Sequence, residues 1–229
     1  MGGVAVALAG KDLRTEFRSR SGLAALLVSQ VLIVLALSFT VSLQDDPQRR
    51  QALLLEVTPG VLWVTVLLAG VLVLPRSMGR EVDQGTLDLL LISPLRDGQI
   101  FAGKFLANLA LQLLAVAAAL VLMTVFLEFS PGGLLPYLMV PLLLGAVAMA
   151  ALGTLISAVA AQTTARQVLV LILLVPGALY SIVLPGITAT ELILAPQAEG
   201  PVRALAALGG VALASLALGS LLFGFALRE

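Results

Sequence analysis

The sequence predicts an all-α integral membrane protein with six transmembrane helices, and two observations carry this prediction. Hydrophobic residues make up 60% of the chain and charged residues only 11%, with a mean hydropathy of +1.10. This composition excludes an ordinary soluble domain. Six separate apolar stretches also reach about the 18–20 residues that a helix needs to cross a hydrocarbon core roughly 30 Å thick. We therefore expect one transmembrane domain over residues 1–229, with no separate soluble domain.

The composition also narrows the possible chemistry. The 13 basic and 13 acidic residues balance, so net charge does not indicate a nucleic-acid partner. The chain has no Cys and no His, which removes thiolate nucleophiles and the commonest haem and metal ligands. It carries no GxxxxGK[ST] phosphate-binding motif and no recognisable catalytic constellation. We expect neither an enzyme nor a firmly bound cofactor or metal, and any ligation here would use weaker Met or Tyr ligands.

The N-terminal residues 3–20 are expected to form an amphipathic helix on the membrane surface. At about 3.6 residues per turn, one side of this helix is apolar and the opposite side is basic. The apolar side consists of Val6, Gly10, Leu13 and Phe17, and the basic side of Lys11, Arg14 and Arg18. The alternative is a solvated basic tail that only sets the orientation of the chain.

Six membrane spans follow, at residues 22–43, 57–75, 105–127, 134–160, 167–184 and 204–227. In the fifth span Pro176-Gly177 lies inside the helix, and Pro185-Gly186 is expected to end it. The apolar patch 192–195 that follows is too short to cross the membrane. It either dips into the membrane between the fifth and sixth helices or lies at the interface.

Lysine and arginine placement predicts the orientation. Ten basic residues fall on one side of the predicted spans and three on the other. The larger group comprises Lys11, Arg14, Arg18, Arg20, Arg76, Arg80, Arg96, Lys104, Arg166 and Arg228; the smaller group comprises Arg49, Arg50 and Arg203. By the positive-inside rule, both termini and the loop at 80–104 are cytoplasmic.

Residues 80–100, which we call the coupling segment, combine charges of both signs with a dense apolar run. Four consecutive apolar residues at 89–92 point all round any helix that they form, so they need cover on more than one side. Gly85 interrupts the segment, and Ser93-Pro94 provides an N-cap followed by proline at the first helical position. The pattern suits a helical elbow that couples a soluble partner to the membrane helices, but physics alone equally allows a plain loop with its leucines among the headgroups.

A resemblance favours the coupling interpretation. The residues that carry it follow the pattern Glu81…Gly85-Thr86-Leu87…Leu90-Leu91…Ser93-Pro94…Ile100…Gly103-Lys104. This pattern resembles the coupling-helix segment of ABC-2-type exporter permeases, which pair with a separate ATPase. Within that group the chain most resembles the CcmB (haem exporter protein B) family. Pro59-Gly60-Val61-Leu62-Trp63-Val64 is similar to its PG-x-x-WV signature, residues 11–18 to its N-terminal amphiphilic stretch, and 168–176 to its proline-terminated apolar run. Pro75 departs from the expected pattern and leaves the geometry of the elbow open.

The resemblance implies a function and an assembly. It implies an ABC-2-type fold in the bacterial cytoplasmic (inner) membrane, working in cytochrome c biogenesis with two copies of the chain per complex. The implied partners are a CcmA-like ATPase that binds ATP, CcmC-like and CcmD-like membrane subunits and, indirectly, a CcmE-like haem chaperone, besides membrane lipid. The chain would couple ATP hydrolysis to haem export or to release of the haem-loaded chaperone.

The resemblance also implies two sets of site residues. The ATPase-coupling set is Arg80, Glu81, Gly85, Leu87, Leu90, Leu91, Ser93, Pro94, Arg96 and Lys104. The haem set is Pro59 and Trp63, with Trp63 stacking on a porphyrin face, and Arg49 and Arg50, which would meet propionates. The alternative for Trp63 is an interfacial anchor. The alternatives for the whole chain are an ABC-2 permease that exports a lipid, glycan or drug, and a membrane scaffold that transports nothing.

Overall fold

The computed structural model of the chain describes residues 2–86, 95–161, 163, 165–194 and 200–228. Within these ranges the secondary structure is helical and contains no strand. Six helical segments within these ranges are long and apolar enough to cross a membrane. The predicted all-α, six-span fold class is confirmed, and the chain is a multi-pass membrane protein. The central part of the predicted helical elbow, residues 87–94, lies outside the described residues.

The described helices follow one another along the chain with short connections. They are α1 (Gly2–Ser19), α2 (Ser21–Ser42), α3 (Pro47–Asp83), α4 (Asp97–Leu127), α5 (Leu135–Ala160), α6 (Arg166–Ala178), α7 (Leu184–Leu194) and α8 (Val202–Arg228). A 3-10 turn, Gly132–Leu134, precedes α5, and a π-helical turn, Leu179–Val183, joins α6 to α7. The helices α3 and α5 are the most buried of the membrane-spanning set and form the centre of the bundle.

The helix α3 is longer than the predicted span at 57–75. Asp46 caps its first turn by accepting a hydrogen bond from the Gln48 backbone N–H at 2.9 Å. The helix then continues to Asp83 with Pro59 and Pro75 inside it. An internal proline removes one helical hydrogen bond and crowds the carbonyl four residues earlier. Ending the helix near lipid would leave more backbone groups unpaired, so the chain stays helical. Two coupling residues, Arg80 and Glu81, therefore belong to the end of α3.

The predicted end of the fifth span at Pro185-Gly186 is wrong. The helix passes through the π turn and continues as α7 to Leu194, so the whole span covers Val168–Leu194. Because the π turn resets the hydrogen-bond register, Pro185 falls in the first turn of α7, where its missing N–H is tolerated. Residues 192–194 of the predicted apolar patch extend this helix, and residue 195 lies outside the described residues.

The N-terminal helix α1 packs along α4 and leaves one side exposed. Ala5 and Ala9 are buried against the bundle, and α1 approaches α4 closely at Gly103, where a Cβ would collide with the α1 backbone and a leucine side chain. Val6 and Phe17, on the predicted apolar side, are 62% and 51% exposed. The side of α1 that faces the protein is therefore a third side, which the amphipathic pattern did not predict.

Candidate functional site

The end of α3 is held by a helix-terminating motif built from residues of the coupling segment. Gly85 adopts a left-handed conformation with φ of 64°, and its N–H donates to the Val82 carbonyl at 3.1 Å. The Thr86 N–H donates to the Glu81 carbonyl at 2.8 Å. This pair of bonds is the Schellman motif, which glycine favours because it has no Cβ. The Thr86 hydroxyl also hydrogen-bonds Glu81 Oε2, so the turn orients the Glu81 side chain.

Glu81 and Lys104 form the centre of a buried charged cluster, which we define as Lys11, Asp12, Glu16, Arg80, Glu81 and Lys104. Lys104 Nζ lies 2.8 Å from Glu81 Oε1 and 2.8 Å from Asp12 Oδ2. Lys11 Nζ lies 2.7 Å from the same Glu81 oxygen. The Lys104 side chain is 1% exposed and that of Glu81 5%. A buried charge needs such partners, and one ammonium here joins α4 to both α1 and α3.

A second ion pair links α1 to α3 beside the first. Arg80 Nη2 pairs with Glu16 Oε2 and lies 3.4 Å from the Ser19 hydroxyl. The Glu16 side chain is 5% exposed and that of Arg80 26%. The two acids of α1, Asp12 and Glu16, therefore both point into the protein, each toward a cation of another helix.

The field of this cluster acts on its most exposed member. Partial burial disfavours the charged form of Lys11, but hydrogen bonding and the negative charge of Glu81, with a further contribution from Asp12, outweigh it. The pKa of Lys11 is consequently raised above its ordinary value. The cluster therefore favours the protonated form of Lys11.

Beyond Lys104 in the chain, α4 carries further buried polar side chains on the same side of the helix. Lys104, Asn108 and Gln112 follow at intervals of four residues and so lie on one side of the helix. Asn108 Nδ2 donates to Thr154 Oγ1 at 2.8 Å, and Gln112 Nε2 donates to the Val66 carbonyl at 2.7 Å. These bonds tie α4 to α5 and α3, and they satisfy polar groups that would be costly if left unpaired in a membrane.

Sequence analysis assigned five of these residues to no functional site. Lys11 was interpreted only as part of the basic side of the N-terminal helix. Asp12 and Glu16 were overlooked because the N-terminal pattern was interpreted from its apolar and basic sides. Asn108 and Gln112 were overlooked because their span was treated as uniformly apolar. A usable signal existed in both cases, namely polar residues repeated at a spacing of four on one helix.

Among the rest of the predicted coupling set, Arg96 is the one member that falls within the described residues. Arg96 is exposed and precedes α4, where its backbone N–H donates to Gln99 Oε1 at 3.0 Å. The remaining predicted members lie outside the described residues: Leu87, Leu90, Leu91, Ser93 and Pro94. The structure thus brings Arg80, Glu81, Gly85 and Lys104 together at one joint, and the roles of the other members stay predictions.

Trp63 lies in the interior of the bundle. Its side chain is fully buried, and its indole N–H donates to Thr190 Oγ1 at 2.9 Å. The ring packs on Gly145 of α5 and Gly186 of α7, where a Cβ on either glycine would overlap it. Pro59, one turn earlier, is also buried. Trp63 is not an interfacial anchor in this conformation, and a porphyrin would reach its ring only after α5 or α7 had withdrawn.

The other predicted haem contacts are remote from Trp63. Arg49 and Arg50 are exposed in the first turn of α3. A helical rise of about 1.5 Å per residue places Arg50 roughly 20 Å from Trp63 along the helix axis. These residues do not form one site in this structure.

The weaker potential iron ligands are also dispersed. Met123 and Met149 are fully buried in the core, whereas Tyr137 and Tyr180 are 64% and 72% exposed. Met139 lines an apolar groove of about 590 Å³ between α4 and α5. Among the described residues, no group of three or more carboxylates could hold a metal ion. The cluster is suited to joining helices mechanically, since its ion pairs connect α1, α3 and α4.

Comparison with known proteins agrees with the resemblance drawn from the motifs. A family model described as CcmB protein matches residues 4–229. The chain is similar to heme exporter protein B of Paracoccus denitrificans (strain Pd 1222), with 31% identity over 222 residues and 97% of each chain covered. It is 32% identical over 148 residues to the protein of that name from Rhodobacter capsulatus, covering 65% of each. The Escherichia coli (strain K12) protein of that name is 33% identical over 97 residues, or 42% of this chain and 41% of that protein.

Proposed function

Because this chain belongs to the CcmB family, we propose that it is the membrane permease subunit of an ABC-type haem exporter that serves cytochrome c biogenesis. The observation that carries the proposal is the family match over residues 4–229, which includes all six described helices of membrane-spanning length. The name of its relatives, heme exporter protein B, supports haem as the transported species.

The proposal assigns ATP hydrolysis to another subunit. The chain lacks the glycine-rich lysine motif that cradles nucleotide phosphates, so a CcmA-like ATPase would bind and hydrolyse ATP. Two copies of each would assemble with CcmC-like and CcmD-like membrane subunits and act on a CcmE-like haem chaperone. The distribution of basic residues supports an orientation with both termini and the coupling segment in the cytoplasm.

The charged cluster would transmit movement from the ATPase to the membrane helices. The undescribed residues 87–94 connect the end of α3 to the start of α4, and the pair formed by Glu81 and Lys104 joins these two helices just above that connection. Asp12 joins α1 to the same ammonium. Separating one partner of a buried ion pair costs roughly 3–5 kcal/mol. A push on the coupling segment would therefore move α1, α3 and α4 as one unit instead of bending a single helix.

Two cargo steps are compatible with this coupling. Haem would either pass along this subunit or stay outside it while the chain drives release of the loaded chaperone. In the first version, in which haem passes along this subunit, the haem contacts would be Trp63, Arg49 and Arg50. Replacing Trp63 with Leu in a strain that still inserts the protein tests that version, and normal cytochrome c maturation would remove the stacking role.

The test of the function is deletion of this chain from its native strain, followed by complementation. We expect loss of covalently bound haem from c-type cytochromes and from the chaperone, both restored by the wild-type chain. Normal c-type cytochromes in the deletion strain would contradict haem export and favour the lipid, glycan or drug permease.

The coupling role is tested separately with Leu90→Asp and its matched control Leu90→Met. An acidic side chain within the predicted apolar surface should abolish both ATPase co-purification and cytochrome c maturation, whereas methionine keeps the apolar character and should preserve both. The amount of each variant in the membrane is measured alongside. Normal maturation with Leu90→Asp would indicate a scaffold or another coupling route.

A further inference from the structure

The outward surface of α1 carries only positive charge, because both acids of this helix are directed inward. The side chains of Asp12 and Glu16 are 16% and 5% exposed, and they pair with Lys104 and Arg80. The charge balance of the N-terminal sequence therefore does not describe its surface. What α1 presents to its surroundings is strongly cationic.

Three arginines dominate that surface. Arg14, Arg18 and Arg20 are all exposed, and within the part of the chain that the structure describes none of them forms an ion pair. On a helical projection Arg14 and Arg18 lie side by side, next to the stripe that contains Val6 and Phe17 and not on the opposite side of the helix, where the sequence analysis placed them. Those two apolar side chains are also largely exposed. We call Val6, Arg14, Phe17, Arg18 and Arg20 the basic face of α1.

Arg20 occupies a position where glycine would be the easier residue. Its φ is 56°, in the left-handed region that a side chain with a Cβ adopts only at a cost. It forms the break between α1 and α2, and α2 begins at Ser21 as a helix of membrane-spanning length. Arg20 thus lies at the point where the chain enters its first span, two residues beyond Arg18.

We propose that the basic face of α1 binds the headgroups of anionic phospholipids. The arginines match the phosphate charge, and Val6 and Phe17 match the apolar region directly beneath the headgroups. An acidic surface of a soluble partner would account for the arginines but would leave the exposed apolar stripe in water. Bound lipid would hold α1 in place and thereby steady the carboxylates that α1 contributes to the charged cluster.

The experiment measures which lipids stay with the purified full-length chain. The protein is reconstituted in vesicles of equal amounts of phosphatidylcholine and phosphatidylglycerol, extracted with styrene–maleic acid polymer, and its retained lipids are quantified by mass spectrometry. We expect enrichment of phosphatidylglycerol for the wild type, falling at least about fivefold toward the bulk ratio in R14Q/R18Q/R20Q. The charge-preserving variant R14K/R18K/R20K should retain most of the enrichment.

The matched control is R49Q/R50Q, which removes exposed arginines at the other end of α3. These arginines lie beside exposed Asp45 and Asp46, so their loss should leave the enrichment unchanged. Excess inorganic phosphate during extraction separates lipid binding from binding of free phosphate, and it should not displace phosphatidylglycerol. If phosphate displaces it, the site recognises the phosphate group alone and the lipid proposal is overturned.

A single variant keeps the test meaningful if the triple variant folds poorly. Arg20→Gly should keep or raise the thermal unfolding midpoint, because glycine adopts the left-handed conformation freely, and yet it should lower the enrichment. Unchanged phosphatidylglycerol in both variants would overturn the proposal. The proposal would also be overturned if these variants lost co-purification with the ATPase while their phosphatidylglycerol enrichment stayed unchanged. That result would assign the basic face of α1 to a protein partner. Neither outcome depends on haem export.

Discussion

Lys104 Nζ lies 2.8 Å from Glu81 Oε1, and both side chains are almost completely buried. Glu81 belongs to α3 and Lys104 to α4, so this contact joins the two helices that lie on either side of residues 84–96. The same ammonium reaches Asp12 of α1 at 2.8 Å. The ammonium that joins α1, α3 and α4 is therefore almost completely shielded from solvent.

Lys104→Met should destabilise the protein by roughly 3–5 kcal/mol, because it leaves the buried carboxylate of Glu81 without its main partner. The measurement is the thermal unfolding midpoint of the purified chain in detergent. Lys11→Met is the matched control: the Lys11 side chain is 54% exposed, so its removal should cost at most about 1 kcal/mol.

The double variant Glu81→Leu with Lys104→Met completes this experiment. Replacing both buried charges with apolar groups should recover part of the stability that Lys104→Met alone loses, since the carboxylate no longer needs a partner. An unfolding midpoint for Lys104→Met equal to the wild type would contradict the central role of this ion pair.

Gly85→Ala should destabilise the end of α3 by about 1–2 kcal/mol, since alanine must adopt the left-handed conformation that Gly85 holds. The thermal midpoint again reports the change. Gly98→Ala provides the comparison, because Gly98 lies in the first turn of α4 with open space around a Cβ. Alanine there should be neutral or slightly stabilising. Equal effects at both positions would mean that the Schellman turn does not terminate α3.

Gly145→Ala and Gly186→Ala should each destabilise the bundle by roughly 1–3 kcal/mol, because the added methyl group overlaps the indole ring of Trp63. The chain contains a single tryptophan, so its fluorescence reports directly on the packing of the Trp63 ring between Gly145 and Gly186. We expect blue-shifted emission in the wild type and a red shift in both variants. Gly60→Ala and Gly177→Ala, where a Cβ meets no atom within 4 Å, should leave emission and midpoint unchanged. A wild-type emission typical of exposed tryptophan would show that the Trp63 ring is accessible to water and not enclosed by the two glycines.

The membrane helices were the most predictable part of this protein. The fourth span was predicted at 134–160, and α5 occupies Leu135–Ala160. Length and apolarity are local properties, and lipid leaves the backbone few alternatives to a helix. The same physics explains the mistaken end at Pro185-Gly186. A helix inside a bundle of membrane helices passes through prolines that would end a solvent-exposed helix.

The charged site was predictable only in part. Glu81, Gly85 and Lys104 were selected from the coupling pattern, but nothing local indicated that Lys104 is buried or that Asp12 is its second partner. That contact depends on the close approach of α1 to α4 at Gly103. Trp63 was similarly identified as notable, yet its burial follows from two glycines on helices far away in the sequence.

By itself, the sequence determined the all-α membrane class, the number and approximate position of the spans, and the family, because these depend on composition, local hydropathy and short motifs. Only the tertiary structure decided which charges are paired, which side of α1 faces the protein, and that Trp63 is enclosed. Those features depend on contacts between distant helices, where the cost of burying an unpaired charge or overlapping two side chains selects one arrangement.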